Sequence, residues 1–523
     1  MERLDRDEPR EDPDFPVESV EPDAPTVDVR PLRARPKTIA LRVPAVVRAY
    51  VAGVAQRLEG LGYRVAIVPS PEARLPGSID WLLYFERLAY RTRSRSFEPA
   101  AIDPIDMGCP DLVVDLAGDA GEGATPTLRL MFESGAGETG LVDALLASRS
   151  PSLGIVLTRT SAPPRALRTA TLAVERPLAL GSALDAVTPR LATLIAQSVA
   201  AFDAGPSEDA SLPDSPAPVS ARPFGFAAQA LAERIDRKLT ALLRRPEAWR
   251  IAIRTIDGPG VMERFDWSGP AWRVLPDDGR RYFADPFLFA WAGRHWLFCE
   301  EFPYATAKGI LSVASVAENG TIGAPRPIIE TGGHLSWPQV FAYDGRIYMI
   351  PESATAGRIK LWRADNFPTG WVLDRVLIDA VHAHDPVLHL TKAGAFILAN
   401  VNDDGGSSWD ALGLFHAPHL MGEWRAHERN PVIVDASCVR GAGPIVARGG
   451  DPWRATQDCR TGYGGGLALC RVTRLDAGGF SQEVMARLDA PPDLDASGVH
   501  TLSRVGDVEA IDLRGVERTL LRA

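Results

Sequence analysis

The segment YFADPFLFAWAGRHWLFCEE at residues 282–301 has a form that returns three times in the second half of the chain. Each copy has a polar lead, a proline, an apolar strand, a turn and a second apolar strand. The other copies are LSWPQVFAYDGRIYMIPES at 335–353, HAHDPVLHLTKAGAFILANV at 382–401 and VRGAGPIVARGGDPWRATQD at 439–458. Their prolines, Pro286, Pro338, Pro386 and Pro444, are 52, 48 and 58 residues apart. A four-stranded propeller blade needs about 40–50 residues, so the spacing predicts successive blades.

Two further segments complete this interpretation. GVHTLSRVGDVEAID at 498–512 supplies a fifth, shorter unit, and WRIAIR at 249–254 supplies a strand able to close the last blade. We therefore predict an all-β five-bladed β-propeller over 249–523. A β-sandwich of short strands is the alternative, but it does not explain the repeated unit.

The segment 38–202 has a different pattern. TIALRV at 38–43 and YRVAIV at 63–68 are strand-like, and the helical pattern between them places Val47, Val51, Val54 and Leu58 on one face. Short β-rich runs at 111–118, 128–133 and 153–159 follow, and a last helix is predicted at about 179–202. Strands that alternate with helices predict an α/β domain with a Rossmann-type parallel or mixed sheet.

Segments rich in charge or proline flank these two domains. Residues 1–37 form an acidic stretch that predicts a disordered tail, and residues 203–223 contain five prolines and predict a linker. Residues 224–248 predict an amphipathic helix with Leu231, Ile235, Leu239 and Leu242 on one face. This face is expected to pack on a neighbouring domain, whereas the Arg-rich opposite face is suited to a membrane surface.

The formal charge of the whole chain is −10, and no basic motif of a nucleic-acid-binding protein is present. No apolar run approaches the 18 residues of a membrane span. The sequence therefore predicts no nucleic-acid partner, no transmembrane segment and a cytoplasmic location.

The repeat leads resemble two related groups of propeller proteins. ADPF at 284–287 and HDPV at 384–387 resemble strand starts of the arabinanase/β-xylosidase-type glycosidases. A closer resemblance, over most of 270–515, is to the N-terminal region of the glucosamine inositolphosphorylceramide transferase family; its motifs include HWLFCEEFPYATAKGILS, RATQDCRTGYGGGLAL and GVHTLS. This resemblance implies a carbohydrate or glycolipid ligand and a separate glycosyltransferase as a partner. In bacterial relatives a formyltransferase-like domain precedes the propeller, and 38–200 resembles it.

The resemblance also implies candidate catalytic carboxylates. Asp285 matches the general base of the glycosidases, and Asp385 matches their auxiliary aspartate. Ala442 stands where the acid glutamate is expected, just before Gly443-Pro444. Glu352 and Glu301, on neighbouring predicted strands, are candidate replacements for that acid. The alternative is that each Asp-Pro aspartate only caps a turn.

Other polar residues near the repeat leads are candidate substrate-binding residues. Trp rings stack on sugars, and Arg, Gln, His and Asp bind hydroxyl or phosphate groups. The set favours an anionic or phosphorylated sugar and consists of His334, Trp337, Gln339, His384, Arg440, Arg454, Gln457 and Asp458. For Trp337, packing in the core is the alternative and is slightly favoured over ligand contact.

Cofactor motifs are not recognised in the sequence. His382 and His384 form an alternating pair, but no third ligand has suitable spacing, so no metal site is predicted. GYGGG at 462–466 precedes a strand-like run and predicts a blade turn, not a phosphate loop. No cofactor is expected.

Three functions remain open. The first is a carbohydrate-active protein of glycan or glycolipid biosynthesis, and one form of it is an inverting glycosidase. The second is a non-catalytic sugar-recognition or scaffold module beside a separate glycosyltransferase. The third, formyl transfer, is least favoured because all nine His residues lie at or after His295, outside the α/β domain.

Overall fold

The computed structural model describes residues 37–91, 94–101, 108–121, 123–160, 162–204, 222–243, 248–276 and 278–515. The predicted acidic tail, apart from Lys37, and most of the predicted linker lie outside these residues. Two architectures are present among them: a mixed sheet with helices, and a ring of five sheets. No described helix has both the length and the apolar character needed to span a bilayer.

The mixed sheet has the strand order β2-β1-β3-β4-β6-β7, and β5 pairs with β4. Strands β2, β1, β3 and β4 run parallel, whereas β6 is antiparallel to both of its neighbours, β4 and β7. Its strands are β1 (Thr38–Pro44), β2 (Arg64–Ser70), β3 (Leu112–Asp115), β4 (Thr127–Phe132), β5 (Gly135–Ala136), β6 (Ser152–Arg159) and β7 (Ala162–Thr171). β1 is almost wholly buried, as expected for a strand with both faces covered.

Helices accompany this sheet. They are α1 (Tyr50–Gly60), α2 (Gly77–Tyr90), α3 (Gly137–Leu146), α4 (Leu180–Ala204) and α5 (Pro223–Leu243). The apolar face predicted for the first helix is confirmed, because Val51, Val54 and Leu58 are fully buried. The alternation of strands and helices is also confirmed, and β7 and α2 are additional elements.

The prediction for α5 needs a correction. The helix is present, but Leu231 and Ile235 are 60% and 52% exposed, so their face does not pack on a neighbouring domain. Phe226 and Ala230 are the buried residues of this helix. They lie on the opposite side of the helix, where the aromatic ring of Phe226 covers more apolar surface than either aliphatic side chain. The side chains of Leu239 and Leu242 lie outside the described residues.

The five remaining sheets confirm the predicted five-bladed propeller. Blade 1 contains β10–β13, blade 2 β14–β17, blade 3 β18–β22 and blade 4 β23–β26; blade 5 combines β27–β29 with β8 and β9. β29 pairs antiparallel with β8, with Ile511 opposite Ala252, which confirms that WRIAIR closes the last blade. The bounds are as follows: β8 (Trp249–Thr255), β9 (Arg273–Val274), β10 (Arg281–Trp291), β11 (Arg294–Pro303), β12 (Ile310–Val316), β13 (Arg326–Ile329), β14 (Ser336–Tyr343), β15 (Arg346–Glu352), β16 (Arg358–Asn366), β17 (Gly370–Asp379), β18 (Ala383–Thr391), β19 (Gly394–Val401), β20 (Ala411–Ala417), β21 (Arg425–Ala426), β22 (Ile433–Val434), β23 (Gly441–Arg448), β24 (Asp451–Asp458), β25 (Gly466–Asp476), β26 (Gly479–Leu488), β27 (Ala496–Gly498), β28 (Leu502–Val505) and β29 (Val508–Gly515). A one-turn helix, α6 (Val261–Arg264), and a 3₁₀ turn (Ala354–Ala356) lie in connections.

A buried ion pair joins the α/β part to blade 3. Arg190 on α4 donates from Nε to Asp410 Oδ1 at 2.8 Å, and the two side chains are only 1% and 0% exposed. Asp410 Oδ2 also accepts the backbone N–H of Ala173 at 2.9 Å. The two parts therefore share a desolvated polar contact rather than a solvent-filled gap.

Candidate functional site

One backbone feature recurs at the inner strand of four blades. The residue before each repeat proline has a positive φ: 52° at Asp285, 53° at Trp337, 48° at Asp385 and 145° at Gly443. The strand register shifts at each of these positions, so each lead is a β-bulge. A residue before proline normally adopts extended backbone, and left-handed backbone is costly for Asp and Trp. The bulges re-aim the side chains at the start of each blade.

Asp285 is the first of these residues, and both of its carboxylate oxygens are engaged. Oδ2 accepts the backbone N–H of Trp337 at 3.0 Å, across the boundary between blades 1 and 2. Oδ1 lies 3.1 Å from His500 Nε2 and accepts a longer bond from the Thr501 hydroxyl at 3.4 Å. The side chain is 6% exposed. Asp285 therefore links blade 5 to blade 2.

His500 lies between two carboxylates. Its Nδ1 is 2.7 Å from Asp512 Oδ2, and its Nε2 faces Asp285. Burial opposes the charged imidazolium, but the carboxylates of Asp512 and Asp285 outweigh burial and raise the pKa of His500 to about 10. Asp512 is also held by the backbone N–H groups of His500 and Thr501. The group is an ion-paired Asp–His⁺–Asp triad.

The same three residues are the candidate metal ligands among the described residues, with ligand atoms within 4.8 Å of one another. However, the two ring nitrogens of His500 face different carboxylates, and one ion can bind only one of these nitrogens. This geometry suits an imidazolium better than a metal ligand. His382 and His384 also diverge, because His382 contacts Asp403 at 3.0 Å and His384 contacts Glu352 at 3.3 Å.

Asp385 is buried beside Arg440. Asp385 Oδ2 accepts Arg440 Nε at 2.7 Å and Gln457 Nε2 at 3.3 Å. Burial raises the pKa of Asp385 above its usual range; Arg440 opposes this shift, and the neighbouring carboxylates of Glu352 and Asp285 add to it. Arg440 also lies over the ring of Tyr463 at 4.7 Å, so its charge is already used by partners within the chain.

Glu352 and His384 form the most accessible polar pair of the polar cluster at the blade leads. This cluster consists of Asp285, Glu300, Glu352, His384, Asp385, Arg440, Gln457, His500 and Asp512. Their side chains are 12% and 21% exposed, and Glu352 Oε2 accepts the backbone N–H of Asp385 at 3.0 Å. Burial opposes ionisation of Glu352, but His384 and Arg440 hold its pKa below the usual range. Glu352 therefore remains a carboxylate at neutral pH, and at 12% exposure it is more accessible than Asp285 or Asp385.

Glu300 is a further acid of the cluster and is the sequence neighbour of the predicted candidate Glu301. Burial, followed by the charge of Asp285, raises the pKa of Glu300 well above its usual range. Its Oε1 has no hydrogen-bond partner among the described residues, although His334 Nε2 lies 3.4 Å away. Glu300 is therefore a buried acid with a raised pKa and one carboxyl oxygen without a hydrogen-bond partner among the described residues.

Glu301 lies on the other face of β11. Its Oε1 accepts Arg281 Nη1 at 2.6 Å, and its Oε2 accepts the Ser312 hydroxyl at 2.6 Å. Successive side chains of a strand point to opposite faces, so Glu300 and Glu301 cannot share the cluster. The structure brings Glu300, not Glu301, towards Asp285.

Trp337 and Gln339, two of the predicted substrate-binding residues, instead contact other residues of the propeller. Trp337 is fully buried; its Nε1 donates to the Pro386 carbonyl at 3.0 Å, and its ring packs on Phe287 at 5.0 Å. The Gln339 amide both donates to and accepts from the backbone of Leu388, at 3.0 and 2.7 Å. Both side chains therefore fasten blade 2 to its neighbours.

Blade 4 holds the remaining predicted residues. Arg454 is 1% exposed, and burial lowers its pKa to about 10; it donates to the Val439 carbonyl at 2.8 Å. Gln457 donates to the Gly441 carbonyl at 2.9 Å as well as to Asp385. Asp458 pairs with Arg460 at 2.6 Å and with Arg487 at 3.1 Å. Of these three, only Gln457 belongs to the cluster.

Sequence reasoning missed His500, Asp512 and Tyr463. His500 and Asp512 stand in the GVHTLSRVGDVEAID unit, which is the signal that could have found them, because a His lead replaces the Asp-Pro lead there. Tyr463, in the predicted blade turn, lies 5.2 Å from the ring of His500. Two surface cavities of about 570 and 540 Å³ lie elsewhere, and neither is lined by a residue of the cluster.

Comparison with known proteins supports the resemblance over the propeller. Residues 277–498 match the family model described as glucosamine inositolphosphorylceramide transferase 1, N-terminal. The protein of that name from Arabidopsis thaliana is 29% identical over 219 residues, which are 41% of this chain and 28% of that protein. The corresponding protein of Oryza sativa subsp. japonica is 28% identical over 239 residues, or 43% of this chain and 32% of that protein. The chain thus spans about a third of the length of these relatives.

Solved structures give a weaker likeness. The catalytic domain of the Coprinopsis cinerea GH62 α-L-arabinofuranosidase is 14% identical, with a TM-score of 0.34, over 50% of this chain and 85% of that one. The RS223 β-xylosidase is 12% identical, with a TM-score of 0.34, over 46% and 95%. These values are too low to support an inference about activity. The family match rests on sequence, and residues 277–498 of this chain are similar to the N-terminal region of glucosamine inositolphosphorylceramide transferase 1.

Proposed function

We propose that the propeller is a non-catalytic sugar-recognition module that serves glycan or glycolipid biosynthesis beside a separate glycosyltransferase. The observation that carries this proposal is the state of Asp285. A general base needs a free lone pair within reach of the water that it activates. Both oxygens of Asp285 already have partners in Trp337, His500 and Thr501, and at 6% exposure the side chain leaves little access for that water.

The chemistry of the cluster favours a neutral or cationic sugar. Among the described residues of the cluster the carboxylates outnumber the cations, because Arg440 and His500 face Asp285, Glu352, Asp385 and Asp512. Arg440 is paired with Asp385, and Arg454 is buried in blade 4, so neither is placed to receive a phosphate. The relatives are named for glucosamine, whose ammonium group is a suitable counter-ion for Glu352. We therefore propose an amino sugar in place of the anionic sugar expected from the sequence.

The proposal is tested by saturation-transfer NMR and calorimetry with glucosamine, glucose and glucose 6-phosphate as probes. Glucosamine is expected to bind most tightly and the phosphorylated sugar least. Glu352→Gln, which keeps the shape of the side chain, should abolish the preference for glucosamine over glucose. Glu423→Gln, at a site on blade 3 that is 77% exposed, is the matched control. Equal binding of the three sugars, or a preference retained in Glu352→Gln, would contradict the proposal.

An inverting glycosidase is the second candidate, favoured by one observation. Glu300 has a raised pKa and an oxygen without a hydrogen-bond partner, as a general acid requires. A screen of aryl glycosides against wild type, Asp285→Asn and Glu300→Gln separates the two candidates. Turnover that both substitutions abolish, in variants that stay folded, would establish catalysis and overturn the recognition proposal.

A further inference from the structure

Helices α2 and α5 carry apolar side chains on their exposed faces. On α2, Trp81, Tyr84, Phe85 and Leu88 are 61%, 56%, 48% and 61% exposed, whereas Ile79 and Leu82 are buried on the opposite side. Trp81 and Phe85 stack on each other with ring centroids 4.3 Å apart. A helix of a water-soluble domain normally presents polar residues on the face turned away from its core. This face of α2 therefore lacks a partner among the described residues.

Helix α5 continues the same surface. Phe224, Leu231 and Ile235 are 80%, 60% and 52% exposed. The two helices are in contact, because Arg234 Nη1 donates to the Ala89 carbonyl at the end of α2 at 2.9 Å. Exposed apolar patches of this kind mark contact surfaces for proteins or membranes.

The charge around this surface identifies its occupant. Residues 87–95 contain four Arg and no acid, and residues 222–245 contain six basic and two acidic residues. Each segment thus carries +4, in a chain whose net charge is −10. Arg87, Arg91 and Arg95 are exposed. Aromatic and aliphatic residues on one face with a surplus of Arg and Lys at its edges are typical of helices that lie in the interface of an anionic bilayer.

We propose that the α2–α5 surface, formed by Trp81, Tyr84, Phe85, Leu88, Phe224, Leu231 and Ile235 with the basic residues at its edge, docks on an anionic phospholipid bilayer. The aromatic rings enter the headgroup region, and the Arg side chains remain at the level of the lipid phosphates. This peripheral contact brings the propeller to a membrane surface, where a glycolipid headgroup lies. The inference is independent of the sugar that the propeller binds.

The test is co-sedimentation of the whole chain with vesicles of phosphatidylcholine alone and of phosphatidylcholine with phosphatidylglycerol, without any glycolipid. Wild type should bind the anionic vesicles and lose this binding as salt is raised. The triple variant Trp81→Ser, Phe85→Ser, Leu88→Ser should bind them at least about tenfold more weakly, because the groups that enter the bilayer are gone. Replacement of Arg87, Arg91 and Arg95 by Gln should weaken binding on the order of a hundredfold.

Matched controls lie on the propeller. Trp291→Ser, Leu373→Ser, Met485→Ser removes three similarly exposed apolar side chains, and Arg294→Gln, Arg326→Gln, Arg346→Gln removes three exposed charges. Both controls should bind anionic vesicles like wild type. Since every substituted side chain is exposed, thermal unfolding should show the variants to be folded. Equal vesicle binding by wild type and the α2 variants would overturn the proposal. The proposal would also be overturned if wild type were a dimer that does not bind vesicles and if the Trp81 triple variant were a monomer. The surface would then be an interface between two copies of this chain.

Discussion

His500 Nε2 lies 3.1 Å from Asp285 Oδ1, across the seam where blade 5 meets blade 1, and its Nδ1 lies 2.7 Å from Asp512. All three side chains are at most 6% exposed. A charged ring between two buried carboxylates lowers the desolvation cost of both acids. Asp512 lies in the same sheet as WRIAIR, the strand that closes blade 5. The contact through His500 therefore links the closing blade to Asp285 in blade 1.

This contact predicts a pH dependence of stability. The pKa of His500 is raised from 6.5 to about 10 in the folded chain, so the native state holds its proton more tightly than the unfolded state. Its contribution is therefore complete below pH 6.5 and is lost as pH rises through 10. We expect His500→Gln to be less stable than wild type by about 3 kcal/mol at pH 6, with the difference shrinking towards pH 10. Urea unfolding at pH 6, 8 and 9.5 measures it.

His419→Gln, at an exposed loop position of blade 3, is the control and should show no such convergence. A constant gap between wild type and His500→Gln over this pH range would mean that the ring is not charged in the folded protein.

The propeller could be predicted from sequence because its signal is local and repeated. Each lead places a proline after a residue that must leave the extended region, and these prolines mark the bulges. The closing role of WRIAIR could be predicted because it is a strand-like run just before the first repeat and the last unit is shorter than the others. The mixed sheet was also recognisable, because its strands are continuous apolar runs. The buried face of α5 could not be predicted from the sequence. Burial of Phe226 rather than Leu231 depends on the tertiary neighbours of this helix.

The site was harder to predict because residue type does not reveal which groups are already paired. Asp285 and Asp385 were found, but their partners His500 and Arg440 come from 215 and 55 residues further along the chain. Trp337 and Gln339 have side chains that suit sugars, yet the backbone of Pro386 and Leu388 occupies their polar atoms. Only the folded propeller shows that Glu300, and not Glu301, lies towards Asp285.

A double-mutant cycle on Asp385 and Arg440 should reveal strong coupling. Arg440→Gln leaves the carboxyl of Asp385 buried without its counter-ion, at an expected cost of about 3–5 kcal/mol in unfolding free energy. Removal of the guanidinium also raises the pKa of Asp385 further, because Arg440 is the charge that lowers it. The double variant Asp385→Asn, Arg440→Gln should lose less than the sum of the single variants. Additive losses would show that the 2.7 Å pair does not stabilise the fold.

The contact between Arg190 and Asp410 should stabilise both parts of the chain. Arg190→Met removes the charge that balances Asp410 and the donor to it at 2.8 Å, and we expect a loss of about 3–5 kcal/mol. Arg358→Met, which breaks a similar 2.8 Å pair with Asp379 at 49% and 64% exposure, should cost far less, because water screens an exposed pair. Equal losses in the two variants, measured by guanidinium unfolding, would contradict the importance of burial.

The position that lacks the expected acid gives the last prediction. Ala442 is fully buried in an apolar cluster with Trp453, Val499 and Leu502, and it is Gly443 that occupies the bulge before the proline. Ala442→Glu therefore places a carboxylate among apolar side chains rather than beside Asp285. We expect it to lower the unfolding free energy by about 4 kcal/mol or more and to create no glycosidase activity.

Ala442→Leu separates charge from volume at the same site, since overpacking alone typically costs about 1–3 kcal/mol. Gly443 offers no better place for an acid, because a Cβ there would lie 2.1 Å from the Leu502 carbonyl oxygen. A stable Ala442→Glu variant that hydrolyses aryl glycosides would show that its side chain reaches the cluster, and would restore the catalytic interpretation of Asp285 and Asp385.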